Sequence, residues 1–241
     1  MLYLFFLAWA DESMVRLLDE RLNAAQRNDA CYALRDDRTA EVNTAMRRAM
    51  MSDLVRACAA RHLREAGAVD ELKDALAQPD ADLKIAALRE LGQIRSPNLL
   101  PELAAAAKDE NALVATNAVD AIAQVRDPQA LPYLIAIAQR GQLAGATALA
   151  RAAAYADPSV LEVARQYLAG DDVAAQVIAV RVLGDWGEAS DLARLKPVAA
   201  RGEALPSQGR GFGMMPAIDL SKVARNAMRQ IEQRLNQIGA R

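Results

Sequence analysis

The sequence predicts an all-α protein, a solenoid of tandem two-helix repeats of roughly 30 residues each. Three observations predict this fold. Apolar residues make up 53% of the 241-residue chain but aromatic residues only 4%, and alanine, the best helix former, supplies much of the apolar share. Apolar residues recur at helical spacing along most of the chain. Pro97, Pro128 and Pro158, each preceded by Ser or Asp, lie 31 and 30 residues apart.

Each of these prolines begins the same unit. A Ser or Asp N-cap before Pro at the first helical position is a strong helix start. A first helix, a polar turn rich in Asp and Gly, and a second helix follow. The second helix carries apolar residues at i, i+3 and i+6, as in Leu88, Leu91 and Ile94, which is a helical stripe. Because one helix pair cannot bury its stripe alone, we expect stacked pairs to share a continuous core.

Four stretches carry a family resemblance. They are Leu-Pro-Glu-Leu at 100–103, Leu-Pro-Tyr-Leu at 131–134, Ala-Leu-Arg-Glu-Leu-Gly-Gln-Ile at 87–94 and Val-Arg-Val-Leu-Gly-Asp-Trp-Gly at 180–187. These stretches resemble HEAT repeats, and the short period is similar to the bacterial HEAT-like subgroup named after phycobilisome lyases. The resemblance implies a right-handed α-α superhelix of the armadillo type, and a family composed mostly of interaction scaffolds.

The regularity of the repeat suggests four segments. Residues 67–200 form the HEAT-like array, and residues 11–66 form divergent N-terminal helices or a cap. Residues 1–10 are an apolar segment, and residues 201–241 are an irregular loop followed by a capping helix. Within the array, one second helix lacks Leu-Gly and reads Ala-Ala-Ala-Tyr at 152–155, so we expect that unit to be looser or bent. The helical phase of the larger aromatic residues places most of them in the core or at its edge; they are Tyr133, Tyr155, Tyr167 and Trp186.

Residues 1–10 have some properties of a secretory signal. They carry no charge and end in Ala8-Trp9-Ala10, a small-x-small cleavage pattern. About 10 residues are too few to span a bilayer, which needs roughly 20. The usual positive residues at the start of a signal are missing, so an apolar helix docked on the first repeat and a membrane-proximal anchor stay open. We expect a periplasmic or secreted protein if the segment is a signal, and a cytoplasmic one otherwise.

The pattern changes after Leu195. Pro197 falls where a helix would continue and predicts that the helix ends there. Residues 202–215 are rich in Gly and contain Pro, which predicts a long loop inside the last repeat. Arg210, Phe212 and Met214 in this loop either contact a partner or close the open end of the core.

A last helix is predicted from about residue 219 to 238. Its buried stripe is Leu220, Ala224, Ala227, Ile231, Leu235 and Ile238. Its opposite side is basic, with Lys222, Arg225, Arg229, Arg234 and Arg241. Basic residues near a helix C-terminus also suit the helix dipole. The pattern favours a solvated capping helix over a nucleic-acid-binding face, because no aromatic stacking platform accompanies it.

Few residues offer chemistry. One histidine, His62, and two cysteines, Cys31 and Cys58, are too few for a zinc framework or a disulfide scaffold. Cys58 lies one helical turn before His62 and could form an activated thiol pair, but a histidine beside a buried thiol is the favoured interpretation. In an oxidising compartment the two cysteines could pair; otherwise both are small buried hydrophobes. The aspartates of the turns are interpreted as helix caps rather than acid or metal sites, and no cofactor is expected.

The charge balance narrows the class of partner. The chain has 29 basic and 31 acidic residues, a net charge of -2, and so no global attraction to nucleic acid or to an anionic membrane. The remaining candidate for a binding surface is the exposed side of the second helices. In the family that the chain resembles, this side lines the inner side of the array. Its expected residues are Lys84, Arg89, Glu90, Thr116, Asn117, Asp120, Gln124, Thr147, Arg151, Gln176 and Arg181. This mixture of charges favours a protein or peptide partner.

We therefore predict a non-enzymatic scaffold or adaptor that binds another protein on the second helices. The residues predicted to contact the partner are Arg89, Asn117, Asp120, Arg151, Arg181, Arg210, Phe212 and Met214. Two alternatives stay open, namely an accessory or lyase-like enzyme component of the phycobilisome-lyase type, and weak nucleic-acid binding. Membrane contact is expected only if the apolar N-terminal segment is retained.

Overall fold

A computed structural model describes residues 12–141, 144–200 and 219–239. Within these ranges the chain forms consecutive helix pairs and contains no β-strand, so the all-α repeat prediction is confirmed. The contacts divide the chain into two compact units, Met1–Ala130 and Leu131–Arg241. The handedness of the superhelix stays a prediction.

The described part of the first unit contains four helix pairs. They are α1 (residues 12–18) with α2 (Ala24–Ala33), α3 (Ala40–Ala49) with α4 (Arg56–Glu65), α5 (Val69–Leu76) with α6 (Ala81–Ile94), and α7 (Leu100–Ala106) with α8 (Ala112–Val125). Helices α3, α5 and α7 each pack on the second helix that follows, and α2, α4, α6 and α8 pack side by side in chain order. The divergent N-terminal segment therefore adds two helix pairs to the regular array.

The second unit continues the same alternation. Its helices are α9 (Ala130–Arg140), α10 (Gly145–Ala152), α11 (Pro158–Leu168), α12 (Val173–Trp186), α13 (Ala189–Ala200) and α14 (Leu220–Gly239). Helices α10, α12 and α14 pack in chain order, while α11 packs on α12 and α13 on α14. Helix α10 is short and ends in a 3-10 turn, Ala153–Tyr155, in the unit where the sequence lacks Leu-Gly.

Aspartates in the turns cap the helices, as predicted. The carboxylate of Asp80 accepts the N–H of Leu83 at 3.0 Å, that of Asp157 accepts Ser159 N–H at 2.9 Å, and that of Asp172 accepts Ala174 N–H at 2.9 Å. Each cap satisfies an N–H that has no partner inside the helix, an interaction typically worth about 1 kcal/mol.

The Leu-Gly motif is explained by the contact between neighbouring second helices. A Cβ atom on Gly92 would lie 2.9 Å from Cα of Ala121, and one on Gly184 would lie 3.1 Å from Cα of Ala227. Because both distances are shorter than ordinary contacts, glycine allows α6 to approach α8, and α12 to approach α14, more closely than any other residue would.

Three predictions about the C-terminal helices are wrong. Helix α13 does not end at Pro197 but continues to Ala200, because proline removes a single N–H bond and the helix packs on α14 on both sides of that position. Leu235 and Ile238 are exposed, by 38% and 72%, because α14 extends past the end of its packing partner α12. Trp186, the last residue of α12, is 47% exposed rather than at the edge of the core, whereas the three tyrosines predicted with it are half-buried.

A disulfide bond joins the first two second helices. Cys31 on α2 and Cys58 on α4 are bonded, with their Cα atoms 6.5 Å apart, a pairing that the sequence left open. Two other sequence predictions, on residues 1–10 and on the loop at 202–215, lie outside the described residues. No helix within the described ranges is long and apolar enough to cross a membrane.

Candidate interaction surface

A common register relates the second helices of the first unit. At the start of each, one main-chain carbonyl accepts the N–H of the residue four positions later; these register residues are Asn23, Ser52, Asp80 and Asn111. Counted from the register residue, positions +2, +6, +9 and +13 fall within roughly 60° on one side of an α-helix. The same four positions can therefore be compared on α2, α4, α6 and α8.

All sixteen positions are exposed or half-buried, and together we call them the second-helix face. They are Ala25, Asp29 and Tyr32 on α2, with Asp36 in the turn after it; Cys58, Arg61 and Glu65 on α4, with Leu54 in the turn before it; Asp82, Ala86, Arg89 and Gln93 on α6; and Leu113, Asn117, Asp120 and Gln124 on α8. None of them is a buried core residue. Apart from Cys58, which is bonded to Cys31, the face contributes little to the core, and its exposed side chains can contact another molecule.

The +9 row crosses the middle of the face. It consists of Tyr32, Arg61, Arg89 and Asp120, one from each helix. Tyr32 is 55% exposed, and both arginines are exposed. Since packed helices lie about 8–10 Å apart, the row spans roughly 25–30 Å, which is long enough for an extended or helical segment of a partner.

A hydrogen bond links α6 and α8 on this surface. Arg89 Nε donates to Asn117 Oδ1 at 3.4 Å, an interaction too long to occupy the guanidinium group fully. Beside the face, Arg64 Nε donates to Glu90 Oε2 at 2.7 Å, and this bond raises the pKa of Arg64. Glu90 was predicted to face a partner, but its carboxylate is held by Arg64.

Apolar side chains lie at one edge of the face. Leu54, in the turn before α4, and Leu113, on α8, occupy the +2 position, and they are 48% and 66% exposed. Met51, at the start of the turn before α4, is 55% exposed. Exposed aliphatic groups beside charged rows are the composition expected of a protein-binding surface rather than of a solvated one.

A second set of charged residues holds the helix pairs together and is not available to a partner. Arg56 Nη2 donates to Asp80 Oδ2 at 2.9 Å, and Lys84 Nζ donates to Asp109 Oδ2 at 2.6 Å. The hydrogen bond from Lys84 holds the pKa of Asp109 below its usual value. Lys84 was predicted to lie on the binding surface, yet it links one helix pair to the next.

The predicted contact residues are distributed over both units. Arg89, Asn117 and Asp120 are brought together on the second-helix face. Arg151 and Arg181 belong to the second unit and are exposed there. Three more, Arg210, Phe212 and Met214, lie outside the described residues. The part that these residues play in binding stays a prediction.

Two predicted surface residues serve the fold instead. Gln176 is only 1% exposed, and its Nε2 donates to the carbonyls of Leu168 at 3.1 Å and Gly170 at 2.6 Å, fixing the turn before α12. Its position, +4 from the register residue Asp172, faces away from the exposed side. Arg234 is the second of these residues.

Arg234 closes the end of helix α12. Its guanidinium group donates to the carbonyl oxygens of Gly184, Asp185 and Gly187 at 2.6, 2.7 and 2.6 Å. A cation at a helix C-terminus satisfies carbonyls that have no partner inside the helix and interacts favourably with the helix dipole. The prediction that Arg234 belongs to the solvated basic side is therefore wrong.

Tyr32 and Arg61 are surface residues that the sequence reasoning missed. Both fall in the N-terminal segment, where the repeat pattern is degenerate. The available signal was local: Asn23 and Gln26 form a capping box, in which each side chain bonds the main chain of the other residue. Counting nine positions from Asn23 leads to Tyr32, and counting nine from Ser52 leads to Arg61.

The residues considered for catalysis are a buried histidine and two cysteines that have no free thiol. His62 is 4% exposed, neither ring nitrogen has a hydrogen-bond partner, and burial lowers its pKa. Cys58, one turn before it, is bonded to Cys31, so neither sulfur is a thiolate in this state. No group of three or more His, Cys, Asp and Glu in the described part of the chain could hold a metal ion.

The comparison with protein families agrees with this architecture. The family model for HEAT repeats matches residues 69–153. Residues 69–153 are HEAT repeats. They begin with α5 and include α6 and α8, which contribute half of the second-helix face. HEAT repeats are commonly protein-interaction scaffolds. A comparison with curated proteins finds no match, and membership of the phycobilisome-lyase subgroup stays a prediction.

Proposed function

We propose that this chain is a non-enzymatic scaffold that binds another protein, or a peptide segment of one, on the second-helix face of its first unit. The observation that carries the proposal is the register of that face: four consecutive second helices present the same four positions to the outside, and all of them are exposed or half-buried. HEAT repeats offer such surfaces because each helix pair adds one more row to a continuous side.

The chemistry of the face favours a protein over a polyanion. It carries five carboxylates and two guanidinium groups; the carboxylates belong to Asp29, Asp36, Glu65, Asp82 and Asp120. An excess of carboxylates repels phosphate, whereas charges of both signs, Tyr32 and the two exposed leucines suit the mixed surface of a protein.

Affinity purification from the native host with full-length protein as bait tests the proposal. We compare wild type with Arg61→Glu/Arg89→Glu, a variant that reverses both positive charges in the +9 row. Both side chains are exposed, so helical circular dichroism should be unchanged. We expect the variant to lose specific partners that wild type retains, because reversal places like charges at the centre of the contact.

Arg48→Glu/Arg38→Glu is the matched control. Both arginines are exposed in the same unit but lie off the second-helix face, and the change in net charge is the same. Partners lost by both variants would indicate a nonspecific charge effect. If the +9 variant keeps every partner of wild type, the second-helix face is not the binding surface and the proposal fails.

We also propose that the chain folds in an oxidising compartment. The disulfide bond between Cys31 and Cys58 supports this, because structural disulfides are rare in reducing compartments. Mass spectrometry of protein isolated from the native host, with free thiols alkylated before reduction, tests it. Alkylation of both cysteines before reduction would contradict the proposal, and sequencing of the mature N-terminus in the same sample would show whether residues 1–10 are removed.

A further inference from the structure

Helix α14 exposes three basic side chains along one side. Lys222, Arg225 and Arg229 lie on one side of the helix, at i, i+3 and i+7, opposite the buried Ala224, Ala227 and Ile231 stripe. Seven residues of α-helix rise about 10 Å, so the three charges form a short basic row.

The row is unfavourable for the helix itself. Neighbours at i, i+3 and i, i+4 on a helix repel each other when their charges are alike. Lys222 and Arg225 also lie in the first two turns of α14, where the positive end of the helix dipole disfavours cations. The sequence had suggested that basic residues suit the dipole of this helix, but that holds only for residues near its C-terminus, such as Arg234. Asp219 offsets part of the cost, since its carboxylate caps the helix through Lys222 N–H at 3.1 Å.

The side chains of the row are partly held in place. Arg225 Nη1 donates to the carbonyl of Ala199 at 3.0 Å, and Arg229 donates to Asn226 Oδ1. Each guanidinium group keeps further N–H donors for a ligand. Half-buried Met228 lies between them, and together with Asn226 and Glu232 they line a shallow open groove.

We infer that this groove binds an acidic, amphipathic helical segment of another protein. Carboxylates at i, i+3 or i+4, and i+7 of such a segment match the spacing of the basic row, and its apolar side would contact Met228. Glu232 at the far end favours a neutral or basic residue there and so sets the direction of the segment. The inference concerns the second unit and does not depend on the proposed function of the second-helix face.

Nucleic acid fits the groove less well. The row is only about two helical turns long, Glu232 bounds it, and no aromatic side chain lines it for base stacking. Arg234, which would extend the row, is occupied by the three carbonyls at the end of α12. The observations therefore favour carboxylates on a short helix over a continuous phosphate backbone.

Fluorescence anisotropy with the full-length chain tests the inference. The probes are a labelled 16-residue helical peptide with Glu at i, i+3 and i+7 and Leu on the adjoining side, its counterpart with Lys in place of Glu, and a 20-nucleotide single-stranded DNA. We expect the Glu peptide to bind and the Lys peptide not to bind. Lys222→Glu/Arg229→Glu should weaken binding of the Glu peptide by about tenfold or more.

Arg35→Glu/Arg38→Glu, in the first unit, changes the net charge by the same amount and is the matched control. We expect it to bind the Glu peptide as wild type does. Met228→Ala should weaken binding of the Glu peptide while leaving its salt dependence unchanged, a result that charge alone would not produce. Absence of binding to the Glu peptide, equal weakening by both double variants, or DNA binding as tight as that of the peptide would each overturn the inference.

Discussion

Breaking the disulfide bond between Cys31 and Cys58 should lower the free energy of unfolding of the N-terminal helix pairs by about 3.5 kcal/mol. The value comes from the closed loop, since the two cysteines are 27 residues apart and loop-closure entropy at 25 °C for that length is about 12 cal/mol/K. It is a large fraction of the ~5–15 kcal/mol that stabilises an ordinary domain. Both cysteines belong to neighbouring second helices, so the bond restricts the first helix pairs of the described array.

Urea denaturation followed by circular dichroism, with and without a phosphine reductant, measures this free energy. The double variant Cys31→Ala/Cys58→Ala is the control, because reductant should leave its transition unchanged. Hydrogen exchange then locates the loss, and we expect amides of α2 and α4 to lose protection before those of α12. A shift worth less than about 1 kcal/mol would refute the entropic reasoning, and so would an equal shift in the double variant.

Three further outcomes follow from single contacts. Burial lowers the pKa of His62, the single histidine. The contribution of its neutral ring to the free energy of unfolding is therefore complete above pH 6.5 and is lost as the pH falls, by up to about 1.4 kcal/mol per pH unit. Urea titrations at pH 7.5 and 5.5 should show this loss in wild type but not in His62→Leu. Gly92→Ala should lower the melting temperature, because overpacking against Ala121 costs about 1–3 kcal/mol and helix propensity returns only about 1 kcal/mol; an unchanged value would show that α6 and α8 separate freely. Arg234→Met keeps the aliphatic stem but should destabilise α12 by about 1–3 kcal/mol, as measured by calorimetry; full stability would mean that water replaces the guanidinium group.

Local sequence signals predicted the repeat fold well. Pro158 begins α11, Pro97 begins the 3-10 turn before α7, and Pro128 precedes α9 by two residues. The three prolines marked the units because a helix-start signal and a helical apolar stripe are both encoded within a few residues. The Leu-Gly motif was recognised as a family feature, but its physical role was not. The 2.9 Å approach of Ala121 to a Cβ on Gly92 depends on a helix 29 residues further along the chain, which no local pattern specifies.

The candidate surface was only partly predictable, because exposure on a second helix depends on register. Arg89, Asn117 and Asp120 were found from the regular units. Gln176 was wrongly predicted to be exposed, because a polar residue in a helical pattern does not reveal whether it bonds to water or to a buried carbonyl. The prediction that Arg234 is solvated was wrong for the same reason, because its three carbonyl acceptors lie about 50 residues earlier in the chain.

The sixteen positions of the second-helix face have a consequence for how this protein can change over evolution. None of them is one of the buried Leu and Val residues that hold α2, α4, α6 and α8 together. Apart from Cys58, which forms the disulfide bond, substitutions there alter recognition at little cost in stability, since exposed substitutions usually change the free energy of unfolding by about 0.5 kcal/mol or less. Descendants of one array can therefore acquire different partners while their cores stay alike. Similarity between such proteins will then report shared architecture more faithfully than shared binding.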